Sequence, residues 1–143
     1  FGLRSIGWKN RLPFIEHCLD RYKDVGLLCI DGVADLILDP NSQEQSNECA
    51  EKLMQISEKY NCHIITVIHS NYGTDKARGH LGTSLMNKIE TEIRLEKNPT
   101  NPSWVTVMCK MSRGYPFETF NFEVNKQGYP EVVSDLYDPL ADL

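Results

Sequence analysis

Two short apolar runs in this chain stop abruptly at residues that can do chemistry. Leu27-Leu28-Cys29-Ile30 runs into Asp31, and His63-Ile64-Ile65-Thr66-Val67-Ile68 runs into His69. A carboxylate at the end of a buried strand can hold the water shell of a nucleotide-bound Mg²⁺, and an imidazole one strand away can hydrogen-bond a phosphate. An Asp that merely caps the turn after a strand gives the same text. A Gly-containing polar loop, residues 72–82, follows His69 and carries Lys76, Arg78 and His80, groups that contact phosphates or simply solubilise the loop. Asp35 and Asp39 lie four apart after Asp31, the raw material of a carboxylate metal cluster. Ile37, Leu38 and Pro40 among them instead suggest a turn leading into a helix cap. His17 and His63 have no partners at zinc spacing.

These side chains need elements to place them. Pro13 suits the first turn of a helix whose apolar stripe is Phe14, Ile15, Cys18, Leu19 and Tyr22, ending near Asp24. Val25–Ile30 is almost wholly apolar and predicts a strand buried on both faces, as in parallel sheets beneath helices. Pro40-Asn41-Ser42 followed by acidic residues starts a second helix, with Cys49, Leu53, Ile56 and Tyr60 on one side and a Glu48–Lys52 pair on the other. The strand 63–68, the polar loop and a short helix over 83–88 follow. From residue 90 the pattern changes to alternation: 91–95, 104–111 and 118–124 read as antiparallel strands at one edge of the sheet, with Asn98-Pro99-Thr100-Asn101-Pro102 as a turn cluster. Trp104, Phe117, Phe120 and Phe122 fall at sheet spacing and need no base-stacking role. Residues 129–143 form an acidic tail, packed along a neighbour or loose.

The order of these pieces resembles the later half of a RecA-like ATPase, in the branch of hexameric replicative helicases of the DnaB and RepA kind. The resemblance covers roughly residues 24–125. In it Asp31 takes the Walker B position, His69 the γ-phosphate sensor, and the loop with Lys76, Arg78 and His80 the segment that faces DNA. Leu81-Gly82-Thr83-Ser84-Leu85 loosely resembles an Arg-Gly-Ser-Ser segment of RepA-like members. Lys110-Met111-Ser112-Arg113-Gly114 stands where DnaB-like members carry Lys-x-Arg-x-Gly, whose basic residues reach a neighbouring subunit's nucleotide. Arg113 is one position late, which on a regular strand turns it to the opposite face from the family's arginine unless a bulge intervenes.

The resemblance implies an α/β fold: a three-layer RecA-like core, a mostly parallel sheet with antiparallel edge strands at its C-terminal end, over residues 1–128. It also implies Mg²⁺ and ATP as cofactors of a full-length protein, DNA as partner and a homo-oligomer, within an enzyme of DNA replication, mobilisation or recombination. Gly2–Lys9, GLRSIGWK, has two glycines at phosphate-loop spacing, but Trp8 intrudes, Lys9 is late and Asn10 replaces the hydroxyl. The expectation is therefore a C-terminal portion of a longer ATPase, with no nucleotide held by this fragment. The alternatives are a degenerate module without hydrolysis that binds a protein or DNA partner, and a Mg²⁺-dependent nuclease built on Asp31 and Asp35.

Composition narrows the classes. The chain has 143 residues, 41% hydrophobic and 24% charged, which excludes disorder and small disulfide scaffolds. Fifteen Lys and Arg against 20 Asp and Glu leave a net charge of -5, so any nucleic-acid contact has to be local. Residues 31–60 hold seven acids and two bases, whereas 61–128 hold six acids and eight bases. Five scattered cysteines without a C-x-x-C pair read as reduced thiols of a cytoplasmic protein. No run is long and apolar enough for a membrane span.

Overall fold

The structure, a computed structural model, describes residues 1–70 and 79–133. They fall into two compact units, which divide between Lys88 and Ile89.

The first unit begins with helix α1, Trp8–Arg21. It starts earlier than the Pro13 signal suggested, and Pro13 lies inside it, where the ring removes one backbone donor and crowds the preceding turn. Gly7 is the N-cap, without a side-chain cap, and Ile15 and Leu19 carry the buried stripe. Strand β1, Leu27–Ile30, follows. A left-handed Gly32 (φ 78°) then opens a 3-10 turn, Val33–Leu36, whose ends Val33 and Leu36 are buried. Helix α2, Gln43–Tyr60, starts at Ser42, whose Oγ accepts from Gln45 N at 3.4 Å, and ends at left-handed Asn61. Its buried face holds the expected Cys49, Leu53 and Ile56, and adds Ser46 and Ala50.

Strand β2, His63–Thr66, pairs parallel with β1 in the register Leu27↔His63 to Ile30↔Thr66. The sheet is covered on one face only: Leu27 and Ile65 are each 53% exposed and Val67 46%, while Ile30 on the other face is buried. The run over 25–30 therefore is not buried on both faces. Helix α3, Gly79–Met86, packs on α2.

The expected Glu48–Lys52 pair does not form. Lys52 reaches across to Glu16 of α1 at 3.0 Å, and Lys59 approaches the same carboxylate at 3.5 Å. Tyr60 donates its hydroxyl proton to Asp20 at 2.9 Å. The polar side of α2 thus joins α1 rather than solvating itself.

The second unit is a four-stranded antiparallel meander: β3 Thr91–Lys97, β4 Trp104–Ser112, β5 Phe120–Val124 and β6 Pro130–Val133. The register places Ile93, Leu95, Val105, Val107, Phe120 and Phe122 on one face, with Arg94, Glu96, Thr106 and Asn121 on the other. Asn98 closes the first turn, accepting from Thr100 N and Asn101 N at 3.0 Å each, and donates to Thr106 and Asn121 on the polar face. Strand β6 takes residues 130–133 along β5, so the start of the acidic segment packs on a neighbour.

The three-layer, mostly parallel RecA-like core is not what forms. The chain builds a two-stranded parallel sheet and a separate four-stranded antiparallel one. The reason is connectivity. Parallel neighbours need a long crossover, and the described chain contains one such crossover between paired strands, β1–α2–β2. The strands after residue 90 are joined by short turns, which bring consecutive strands together antiparallel.

Candidate functional site

The parallel register brings the two predicted strand-end residues to the same end of one sheet. Asp31 follows the last residue of β1 directly, and His69 lies just beyond β2, its neighbour. Backbone bonds extend the ladder past both strands: Val67 N donates to Ile30 O at 2.9 Å, and Val33 N donates to Val67 O at 3.0 Å. The exits of the two strands are therefore held to each other at the point where the polar residues emerge. Asp31 and His69 are both exposed. Neither side chain has a hydrogen-bond or ion-pair partner among the described residues, which leaves a carboxylate and an imidazole free to meet a ligand.

The turn beneath Asp31 is built rigidly. Gly32 adopts φ 78°, where a side chain is strained, and Asp35 N donates back to Gly32 O at 2.9 Å. Val33, with no exposed surface, anchors the turn in the core. Asp35 and Asp39 do not join Asp31 in a metal cluster: Asp39 Oδ1 accepts from Asn41 N at 2.8 Å, the turn into the α2 cap that the neighbouring residues suggested. Among the described residues no three His, Cys, Asp or Glu side chains converge as metal ligands. One carboxylate does not fit a bare Mg²⁺, which takes several oxygens in octahedral geometry; it fits an outer position around an ion whose inner ligands are water and phosphate oxygens. Lys9 lies in the first turn of α1, and its Nζ stands 5.4 Å from the centre of the Trp8 ring.

Lys76 and Arg78 lie outside the described residues. His80 is exposed in the first turn of α3. In the segment Leu81–Leu85, matched above to the Arg-Gly-Ser-Ser region, all but Thr83 are buried in α3: Leu81 has no exposed surface, and Ser84 Oγ donates to Asn47 Oδ1 at 2.8 Å. Pro40 O is the hub of this docking. It accepts from Leu81 N at 3.0 Å, and Ser46 Oγ lies 3.3 Å away while bonding Ser42 O at 2.6 Å. Sequence periodicity missed Ser46 and Gly79, since a buried hydroxyl and a close backbone approach leave no apolar signal.

In the second unit, Lys110 is the extra residue of a β-bulge: Glu92 pairs with Met111 and Ile93 with Cys109. Arg113 follows β4 and its N–H donates to Glu90 O at 2.9 Å. Lys110 and Arg113 are both exposed.

Cys49 and Cys62 are buried, Cys29 is exposed, and all five thiols are free. Burial, with a smaller contribution from Glu48, pushes the Cys49 thiol up to about 11. Lys59 is raised, first by its hydrogen bond with Tyr60 and then by the nearby acids. Neither shift touches the Asp31 and His69 end of the sheet.

No described helix is long and apolar enough to cross a membrane. No protein-family model matches the chain, and the search of curated proteins returns no match.

Proposed function

We propose that the chain is part of a DNA-acting ATPase related to the replicative helicases, in which Asp31 and His69 form the nucleotide-responsive end of the β1–β2 pair. The observation that supports this most is the placement of a carboxylate and an imidazole, each without a partner among the described residues, at the same end of neighbouring parallel strands, the end where open α/β sheets bind ligands. Asp31 would hold Mg²⁺ through its water shell, and His69 would donate a hydrogen bond to a terminal phosphate. Bound Mg²⁺ neutralises charge on the phosphates. The phosphate cradle comes from a segment other than the described ones. Lys110 and Arg113 serve the nucleotide of a neighbouring copy in a homo-oligomer, and Lys76, Arg78 and His80 meet DNA.

Asp31→Asn in the full-length protein tests the assignment: hydrolysis of ATP is abolished, and unchanged turnover sinks it. Replacing Lys76 and Arg78 together by Ala lowers DNA affinity and flattens its salt dependence by about one unit of slope for each phosphate that these side chains neutralise.

A second reading, a module without hydrolysis that binds a partner, is favoured by the exposed apolar face of β1–β2. Equilibrium ATP binding by the full-length protein separates the two, since the module binds none.

A further inference from the structure

We infer that Arg11 is the positioning residue of the Asp31 turn, setting where the carboxylate stands relative to His69; this rests on the reading of Asp31 and His69 as one site. The carboxylate has no hydrogen-bond partner of its own among the described residues, so its place is set by the backbone that carries it. That backbone is tied at three points. Ile30 O accepts from Val67 N and Val33 N donates to Val67 O, two ties that both lead to β2. The third comes from another element: Arg11 Nη1 donates to the carbonyl oxygen of Asp35, the residue that closes the turn through its own N–H to Gly32 O.

Arg11 also looks the other way. Its Nε donates to Ile6 O at 2.9 Å, and Ile6 closes a tight turn on Leu3 through a 3.0 Å bond. One planar guanidinium therefore spans two carbonyls, one before α1 and one after β1. A lysine offers a single ammonium without that fork, so the conservative charge does not replace the geometry. Both acceptors are backbone carbonyl oxygens. The connected path runs from the Leu3–Ile6 turn through Arg11 to Asp35 and Gly32, then through Val33 and Val67 toward His69. Removing the guanidinium loosens the Asp31 turn without touching either proposed site residue.

The test uses the full-length protein with Mn²⁺ and ATP together as a paramagnetic probe, with amide exchange measured in parallel. In the wild type, Mn²⁺ broadens the amide resonances of Gly32 and His69 together, and Asp31→Asn abolishes both effects. In Arg11→Lys and Arg11→Gln, exchange at Val33 and Asp35 accelerates about tenfold or more while Leu53 and Ile56 in α2 keep their protection. In the same variants the broadening of His69 falls at least threefold relative to that of Gly32. A normal ratio in Arg11→Lys, or faster exchange with an unchanged ratio, overturns the positioning role and leaves the Asp31 and His69 site standing. Absence of Asp31-dependent broadening in the wild type overturns that site, and the role of Arg11 with it.

Discussion

Gly79→Ala is the sharpest single perturbation available in the first unit. Gly79 opens α3 at φ +69°, and a Cβ built there meets Pro40 O at 2.6 Å, Asn41 Oδ1 at 2.9 Å and Pro40 C at 3.1 Å. The Asn41 side chain can swing away, but the Pro40 carbonyl is backbone and accepts the hydrogen bond of Leu81 N. The left-handed conformation alone costs an alanine about 1–2 kcal/mol. Moving the carbonyl weakens a hydrogen bond worth about 1 kcal/mol and lifts part of Leu81 from its buried seat, where full burial of such a side chain is worth about 1.5–3 kcal/mol. The expected loss is therefore about 2–4 kcal/mol in the docking of α3 on α2.

Two glycines divide that cost into its parts. Gly128 has φ +87° with nothing within 4 Å, so Gly128→Ala carries the conformational cost without the clash. Gly26 has neither, and Gly26→Ala should be near neutral. Urea denaturation gives the global effect, and the exchange rate of the Leu81 amide reports the Pro40 bond directly. A Gly79→Ala variant within about 0.5 kcal/mol of wild type, with Leu81 exchange unchanged, would refute the docking geometry, because no relaxation of side chains alone can clear a backbone oxygen.

Other perturbations test separate parts of the same unit. Glu16→Gln removes both lysine ion pairs between α1 and α2 and should cost at most about 1 kcal/mol, a difference that shrinks when denaturation is repeated in 1 M salt. Ser42→Ala removes the α2 cap and should cost about 1 kcal/mol by the same measurement. Cys29 should react with Ellman's reagent in the folded protein while Cys49 and Cys62 react only on unfolding. The Cys49 thiol is raised in the fold, so its stabilising contribution is complete below its ordinary value of 9.0 and is lost as pH rises toward about 11. An alkaline stability profile should therefore fall over that window, and Cys49→Ala should flatten this part of the fall.

Local structure was legible wherever one residue type decides it. Ser42 after Pro40-Asn41 marks the start of α2, and the stripe Cys49, Leu53, Ile56 is the face that is buried. The ends of the apolar runs located Asp31 and His69, and the register puts them on neighbouring strands. Sheet membership was not legible. Alternation after residue 90 identifies strands but not the sheet they join, and the short connections, not the side chains, decide that they pair with one another. An apolar run such as Leu27–Ile30 reports low polarity, and the same text serves a strand covered on one face or on two; only its neighbours decide. Partner choice was hidden for a related reason. Lys52 stands four residues from Glu48, yet Glu16, remote in sequence, is presented by α1 at 3.0 Å.

The bulge at Lys110 shows how one unpaired residue can reverse a conclusion drawn from spacing. Residues three apart on a regular strand point to opposite faces, so Lys110 and Arg113 should not act together. Val105, Val107 and Cys109 keep to the apolar face through their partners Lys97, Leu95 and Ile93. Continued without interruption, that alternation would put Met111 and Arg113 on the apolar face too. Instead Met111 pairs with Glu92, which shares a face with Arg94 and Glu96, and the parity of everything after Lys110 is exchanged. Lys110 continues the parity of Met108 on that polar face, and Met111 joins it there through Glu92. Nothing in the residue types announces the bulge, since Cys109, Lys110 and Met111 would each fit an unbroken strand. Its effect is that Lys110 and Met111 share that face, so regular spacing no longer assigns Arg113, which follows the strand, to the face opposite Lys110. The late spacing of Arg113 therefore does not separate it from Lys110.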